Sequence, residues 1–309
     1  MSSSEFGYIK RIPFGGAVLE TVIHDSSLVG IHSLSVDWIS RNIYWSNPLR
    51  GRIEVCDYSG RYRRTLASRS IRPYSLVVHP LIAFIFFVNT QGNNTIRRMP
   101  LSGDASGGVD IVGDLGRIRS IAIDFRKDLL YWAELDASVA MISVSKLDGR
   151  DQRPCHLFHF NHKLYYSDDS DDTIGFYNGR RLITLHENVS NVTGLLIHHG
   201  RAPSGSTPCI YEHSDCSQLC FTISRSERKC FCSDHFIFDQ HALVCRAPND
   251  IVVAGNDHGF ILMNLRLVAG QELSYKEVGV LNTHFFLIKL ALKAKPSPQL
   301  LVWSNFFIL

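Results

Sequence analysis

The chain lacks the features that identify several classes of protein. Its 309 residues contain no G-x-G-x-x-G phosphate loop, which gives no support to a nucleotide-dependent enzyme. The net charge is only +3, and no block of lysine and arginine alternates with aromatic residues, which argues against nucleic-acid binding. No apolar run reaches the roughly 18 residues that a transmembrane helix needs. The chain is therefore expected to work without nucleotide, nucleic acid or its own membrane span.

The first residues also lack the pattern of a secretory signal peptide. Residues 1–7 read MSSSEFG, with neither a basic start nor an apolar stretch. The most apolar segment, residues 284–309, is interrupted by Lys289, Lys293, Lys295, Pro296 and Pro298. If the chain carries disulfides, it is expected to be an internal piece of a longer exported protein.

Cysteine is scarce over most of the chain and dense near residue 209. Only Cys56 and Cys155 precede Cys209, and the other six lie between Cys209 and Cys245. So short a segment cannot bury a core of its own, which favours disulfide staples and an oxidising compartment. A metal site at Cys230 and Cys232 is the alternative interpretation. Three Asn-x-Ser/Thr sequons agree with export; they are Asn93, Asn188 and Asn191.

The most informative pattern is a phrase that recurs four times. Each copy has apolar residues, an acid or its substitute, and an aromatic pair that follows after a constant spacing. The pairs start at residues 44, 86, 131 and 165, in steps of 42, 45 and 34 residues. A period of this size indicates a repeat architecture, and four-stranded propeller blades have about this length. The repeat residues are Asp37, Tyr44, Trp45, Phe86, Phe87, Asp124, Tyr131, Trp132, Tyr165, Tyr166 and Asp168.

Each repeat has a second half in which a glycine turn joins two alternating strands. The turns contain Gly60, Gly103, Gly149 and Gly179. Ser-Gly, Asp-Gly and Asn-Gly are hairpin signals because glycine adopts positive φ without steric cost. Each unit is therefore predicted to be a four-stranded sheet in an all-β fold. Similar strand pairs near residues 8–23 and 260–270 predict the end of an earlier blade and the start of a second propeller.

These repeats resemble the YWTD (class B) repeats of the low-density lipoprotein receptor family, over roughly residues 6 to 270. The resemblance implies a partial six-bladed β-propeller with about four full blades, followed by a small disulfide-rich EGF-like module. It also implies the pairing Cys209–Cys220, Cys216–Cys230 and Cys232–Cys245. The expected divisions are 6–202 for the propeller, 203–246 for the module, 247–283 for the second propeller and 284–309 for an unassigned tail.

The sequence departs from the family motif at its fourth position. The family's Asp ties neighbouring blades by hydrogen bonds, and here it is replaced by Asn47, Asn89 and Glu134, with Asp168 unchanged. Asn can still accept a hydrogen bond but loses the charge-assisted part. Some EGF-like modules of the family bind calcium through acids before the first cysteine. Residues 204–208 read SGSTP, so calcium is not expected here.

Two further clusters carry competing interpretations. His156, His159 and His162 lie close together, and histidine titrates in the endosomal pH range, which suggests an acid sensor. The alternatives are solvated surface histidines or, with less support, a metal site. Residues 102–108 contain serine and glycine but lack the G-x-S-x-G spacing of a hydrolase nucleophile. No catalytic, cofactor-binding or metal residue is therefore assigned.

The resemblance implies a non-catalytic extracellular glycoprotein segment of an endocytic receptor, which contributes to ligand binding or acid-triggered ligand release. The expected partners are an extracellular protein or lipoprotein ligand and neighbouring modules of the same receptor, with no cofactor. The expected location is the extracellular face of the plasma membrane and the secretory and endosomal pathway. One alternative is a matrix or Wnt-co-receptor-like binding scaffold. Another is a propeller hydrolase, which would need inward-facing metal ligands.

Overall fold

The computed structural model describes most of the chain before residue 190 and short parts after it. The described residues are 7–11, 19–68, 70–136, 139–154, 164–168, 172–177, 181–189, 205–210, 215–234, 236–246, 251–256, 259–264 and 276–278. Within them the fold is all-β, as predicted, and the helical segments are two 3₁₀ turns, Ser26–Leu28 and Pro80–Ile82.

Three consecutive sheets have four antiparallel strands each, in chain order. The first blade consists of β3 (Ser33–Asp37), β4 (Asn42–Asn47), β5 (Arg52–Asp57) and β6 (Arg64–Ala67). The second blade consists of β7 (Pro73–His79), β8 (Phe84–Asn89), β9 (Asn94–Pro100) and β10 (Val109–Leu115). The third blade consists of β11 (Arg117–Asp124), β12 (Leu129–Asp136), β13 (Val139–Lys146) and β14 (Arg153–Pro154).

Two smaller sheets flank these blades in sequence. The entry hairpin pairs β1 (Gly7–Arg11) with β2 (Glu20–Asp25). A later sheet contains β15 (Leu164–Asp168), β16 (Thr173–Tyr177) and β17 (Leu182–His186). The strand predicted around Leu157 lies outside the described residues.

The remaining strands follow Cys209. Two short hairpins pair β18 (Leu219–Thr222) with β19 (Arg228–Phe231) and β20 (Ile237–Asp239) with β21 (Val244–Arg246). A last sheet contains β22 (Ile251–Asn256), β23 (Gly259–Asn264) and β24 (Lys276–Val278). This sheet lies in the region predicted to begin a second propeller.

The repeated aromatic pairs form the cores between blades. Tyr44 and Phe87 lie in one buried cluster, Phe86 and Trp132 in a second, and Trp45 in a third. Side chains alternate across a strand, so adjacent aromatic residues face opposite sides of their sheet. In the first two pairs, one residue therefore packs toward the preceding sheet and the other toward the following blade.

The turn glycines fit closely against the preceding sheet. A Cβ at Gly103 would lie 2.7 Å from the carbonyl oxygen of Leu66 in the first blade. Gly60 has φ +78° and touches the carbonyl of Val22 in the entry hairpin in the same way. The glycines thus serve both the hairpin turn and the contact between blades. The matching contact places the entry hairpin where the outer half of a preceding blade would lie.

Candidate functional site

The acid of the repeated phrase closes the turn between the first two strands of its blade. Asp37 Oδ1 accepts hydrogen bonds from the backbone of Ile39 (2.9 Å) and Ser40 (3.0 Å). Asp124 Oδ1 does the same for Arg126 (2.9 Å) and Lys127 (3.2 Å). Burial raises the pKa of Asp37, and these hydrogen bonds act against that rise. Both acids therefore act in the structure as turn caps.

His79 holds the same position in the second blade but has a different partner. The next residue, Pro80, has no N–H to be capped and begins a 3₁₀ turn without a side-chain cap. His79 Nε2 instead lies 3.2 Å from Asp128 Oδ1 in the third blade. Burial lowers the pKa of His79, while the hydrogen bond and charge of Asp128 raise it. The substitution therefore replaces a local cap with a link between blades.

Trp38 and Phe125 meet across the inner turns. Their ring centroids lie 5.1 Å apart in an edge-to-face arrangement, although Trp38 belongs to the first blade and Phe125 to the third. Phe125 also packs edge-to-face against His79, at 4.9 Å. These aromatic contacts join three consecutive blades where their inner strands turn, and they favour a rigid propeller over one that opens there.

Serine hydroxyls bridge the innermost strands, a role that the repeat pattern does not predict. Ser33 Oγ donates to the carbonyl of Leu76 (3.2 Å) and accepts from its amide (3.1 Å). Ser75 Oγ accepts from the amide of Ile121 at 3.2 Å. Ser33 and Ser75 each stand four residues before the repeated acid position, which is the signal that would have found them. They satisfy amides on the inner edge of the following blade, where no further strand pairs.

The fourth motif position ties each sheet to the chain that enters it. Asn47 Nδ2 donates to the carbonyls of Ser27 (3.2 Å) and Val29 (3.0 Å). Asn89 Oδ1 accepts from the amide of Arg72 at 2.8 Å, and Glu134 Oε1 accepts from that of Gly116 at 2.5 Å. The Asn and Glu substitutions therefore keep a hydrogen-bonding role. Toward the entering chain Asn47 donates, which a carboxylate cannot do, while its Oδ1 accepts from the amide of Arg50 at 3.0 Å.

The cysteine segment is held by three disulfides. They join Cys209 to Cys220, Cys216 to Cys230 and Cys232 to Cys245, which is the pairing implied by the resemblance. Cys230 and Cys232 thus lie in different disulfides, which contradicts the alternative of a metal site at this pair. Among the described residues, no group of three or more His, Cys, Asp or Glu side chains is placed to hold a metal ion.

The module shares a hydrophobic core with the propeller. Leu219 and Phe221 of β18 are fully buried in the cluster that contains Tyr44 and Phe87. Burial of one such side chain contributes about 1.5–3 kcal/mol, so the two residues bind the module strongly to the first and second blades. The guanidinium carbon of Arg64 lies 4.8 Å from the ring centroid of Phe231, which adds a cation–π contact.

Hydrogen bonds fix the orientation of the module on the first blade. Asn42 Nδ2 donates to the carbonyl of Cys220 (3.1 Å), and Arg64 Nη1 donates to that of Cys232 (2.9 Å). Asp234 Oδ2 accepts from both the amide and the hydroxyl of Thr65, each at 2.9 Å. A shared core and directed hydrogen bonds are typical of a fixed interface.

Other predicted site residues fall in three groups. Asn93 and Asn188 are exposed, as glycosylation requires, while Asn191 lies outside the described residues. His156, His159, His162 and Cys155 also lie outside them. Tyr165 packs at 5.6 Å from Phe176, and the side chains of Tyr166 and Asp168 are not described.

Burial raises the pKa of two ionisable groups in the first blade, the buried Cys56 and the half-buried Tyr58. Cys56 is buried as a free thiol, and burial raises its pKa. Burial also raises the pKa of Tyr58 to about 12, with a smaller contribution from Asp37.

No helix among the described residues is long and apolar enough to cross a membrane.

Two receptors and two solved structures are among the known proteins to which this chain is similar. The vitellogenin receptor of Solenopsis invicta is 26% identical over 247 residues, which is 74% of this chain and 14% of that protein. The low-density lipoprotein receptor-related protein 5 of Mus musculus is 26% identical over 161 residues, which is 48% of this chain and 10% of that protein. The chain thus spans a small part of the curated relatives that it matches. No family model matches.

The solved structures are more distant. A nidogen/laminin complex aligns with TM-score 0.48 and 18% identity over 55% of this chain and 66% of that chain. A putative TolB from Agrobacterium tumefaciens aligns with TM-score 0.40 and 15% identity over 48% and 55%. Both curated relatives are 26% identical to this chain over the aligned residues. The repeated four-stranded sheets and the disulfide-rich module of this chain match the YWTD and EGF-like pattern. The chain is therefore similar in sequence to members of the low-density lipoprotein receptor family.

Proposed function

We propose that this chain is a non-catalytic extracellular segment of an endocytic receptor and binds a protein or lipoprotein ligand. Residues 6–202 would form its propeller, 203–246 its EGF-like module and 247–283 the start of a second propeller. The segment would work at the cell surface and in the endosomal pathway, beside other modules of the same receptor. Glycans at Asn93, Asn188 and Asn191 would belong to the exported form.

The observation that supports this proposal most strongly is the module's place in the propeller core. Phe221 is fully buried in one cluster with Tyr44 and Phe87, so the module is held in a fixed position against the first two blades. Rigid surfaces favour binding because little conformational freedom is lost when a ligand docks. The reactive groups in the first blade are buried or bound in turns, which suits binding better than chemistry.

The first test measures binding of vitellogenin, the protein named in the vitellogenin receptor to which this chain is similar. The whole chain is secreted behind an added signal peptide, immobilised, and titrated with purified vitellogenin at about pH 7 and about pH 5.5. We expect saturable binding at neutral pH and at least about tenfold weaker binding at acidic pH. Absence of saturable binding to vitellogenin and to low-density lipoprotein would overturn the lipoprotein proposal. Equal affinity at both pH values would contradict acid release alone.

A matched pair of variants locates the binding surface. Leu49 is exposed between β4 and β5, and Leu243 is exposed on the module. Leu49→Asp and Leu243→Asp introduce the same charge at exposed positions, one on the first blade and one on the module. Loss of binding in one variant and not the other assigns the ligand to the blade or to the module. Both variants are expected to keep the wild-type fold, because substitutions at exposed positions usually change stability little.

The alternative is a matrix or Wnt-co-receptor-like binding scaffold. It predicts that the chain, linked to a membrane anchor, binds ligand without carrying it into cells. Uptake of fluorescent vitellogenin by cells that display the anchored chain separates the two functions. A metal-dependent esterase assay on the same protein tests the hydrolase alternative, and turnover there would contradict the non-catalytic proposal.

A further inference from the structure

Arg63 joins the entry hairpin to the first blade. Its Nη1 donates to Asp25 Oδ2 (3.2 Å) at the end of β2 and to Ser27 Oγ (2.6 Å) just beyond it. Its Nε and Nη2 donate to Glu54 of β5 at 2.9 and 2.8 Å. The guanidinium therefore spans the seam between the two sheets, with charged partners on both sides.

The backbone of the same residue is held by the module. The amide of Asp234 donates to the carbonyl of Arg63 at 2.9 Å. The Asp234 carboxylate accepts two hydrogen bonds from Thr65, two residues further along. The module thus binds to the backbone of residues 63–65, and the hairpin binds to the side chain of Arg63. A displacement of this backbone moves the guanidinium away from Asp25.

The entry hairpin depends on this seam. A two-stranded sheet is marginally stable by itself and needs a packing partner. Val22 and Ile23 pack against the cluster of Trp45 and Cys56 in the first blade. Arg11 Nη1 donates to the carbonyl of Tyr58 (3.2 Å), in the turn that leads to Arg63. Two hydrogen-bonded contacts of the hairpin therefore involve residues 58–63, the segment that leads to the module contact. Arg11 donates to the carbonyl of Tyr58, and Asp25 accepts from Arg63.

We propose that docking of the EGF-like module latches the entry hairpin onto the first blade through Arg63. The module holds residues 63–65 in the backbone position from which the Arg63 side chain reaches Asp25, Ser27 and Glu54. Release of the module frees that backbone and weakens the hairpin seam, although module and hairpin are distant in sequence. Coupling of this kind is reciprocal, so loss of the hairpin tie also loosens the module.

The test is hydrogen exchange of the whole secreted chain, comparing wild type with Asp234→Ala. We expect amides of Glu20–Asp25 to exchange about tenfold faster or more in the variant, which corresponds to about 1.4 kcal/mol of local stability. Amides of the third blade near Ile121 should keep the wild-type rate. Asp215→Ala is the matched control, because Asp215 pairs with Arg228 inside the module (2.8 Å) and does not touch this seam in the structure.

Three results would overturn the latch. The first is unchanged exchange at β2 in Asp234→Ala while β18 of the module exchanges faster. The second is an equal rise in the hairpin and the third blade, which would indicate general destabilisation. The third is unchanged exchange at β18 in Asp25→Asn, since reciprocity requires a rise. Thr65→Val, which removes only the hydroxyl donor, repeats the first comparison if Asp234→Ala is not secreted.

Discussion

His79 Nε2 lies 3.2 Å from Asp128 Oδ1, so the position that caps a turn in the first and third blades links the second blade to the third. His79 is fully buried, whereas Asp128 is 64% exposed. The ring also contacts Phe125, which in turn contacts Trp38 of the first blade. A titratable group is thus placed inside the packing of three blades.

The first prediction concerns acid stability. Burial holds the pKa of His79 below its unfolded value despite Asp128, so the folded state disfavours its protonation. The stability due to this residue is therefore present above the unfolded pKa and is lost as pH falls through the folded pKa. We expect the urea concentration at the midpoint of unfolding to decrease as the pH is lowered from about 7 to about 5.

The matched variants for that prediction are His79→Gln and His241→Gln. His79→Gln should flatten this part of the pH dependence, since glutamine does not titrate. His241 is exposed on the module, and its replacement should leave the pH profile at the wild-type slope. An unaltered profile in His79→Gln would assign the acid sensitivity to other groups.

The second prediction concerns the serine bridges. Ser75→Ala removes the acceptor of the buried Ile121 amide and leaves that donor unsatisfied. We expect a loss of about 1–3 kcal/mol in the free energy of unfolding, from equilibrium urea denaturation. Ser226→Ala on an exposed module turn is the control and should change stability by less than about 0.5 kcal/mol. Equal effects of the two changes would remove the bridging role.

The third prediction concerns the fourth motif position. Asn47→Asp restores the family residue, yet the new carboxylate would face the carbonyls of Ser27 and Val29 that the amide now binds. A buried acceptor beside two acceptors costs about 1–3 kcal/mol or more, so the family residue should destabilise this chain. Thermal denaturation measures the change.

Asn89→Asp is the matched substitution in the second blade. The Asn89 oxygen accepts from the amides of Arg72 (2.8 Å) and Gln91 (3.4 Å), a role that a carboxylate retains. Its melting temperature should therefore fall by less than that of Asn47→Asp. A larger fall in Asn89→Asp would contradict the assignment of hydrogen-bond direction at these two positions.

The fourth prediction concerns the disulfides. Cys216→Ser opens the Cys216–Cys230 bridge, and loss of a disulfide from a small exported module costs about 2–5 kcal/mol. We expect the variant to be retained in the cell, measured as the secreted fraction on an immunoblot. Cys56→Ala, which removes a buried free thiol and no disulfide, should have a larger secreted fraction than Cys216→Ser. Normal secretion of Cys216→Ser would contradict a structural role for this bridge.

Much of the fold follows from the sequence because its signals are local. The aromatic pair recurs in steps of 42, 45 and 34 residues, and the first three pairs are buried as the blade pattern predicts. Glycine after Ser or Asp marks the turns at Gly60, Gly103 and Gly149, all of which have positive φ. Left-handed residues at Arg41, Ala83 and Asp128 escaped prediction, because none of them is glycine.

The sequence by itself determined the β-sheet repeat, the hairpin turns and the disulfide-rich character of the module, since spacing and turn chemistry act between residues close in the chain. Only the tertiary structure decided that His79 meets Asp128, that Asn47 donates, and that Asp234 binds Thr65 across a separation of 169 residues. Such contacts depend on how finished sheets pack. No local periodicity encodes them, because the partners come together only after each sheet has formed.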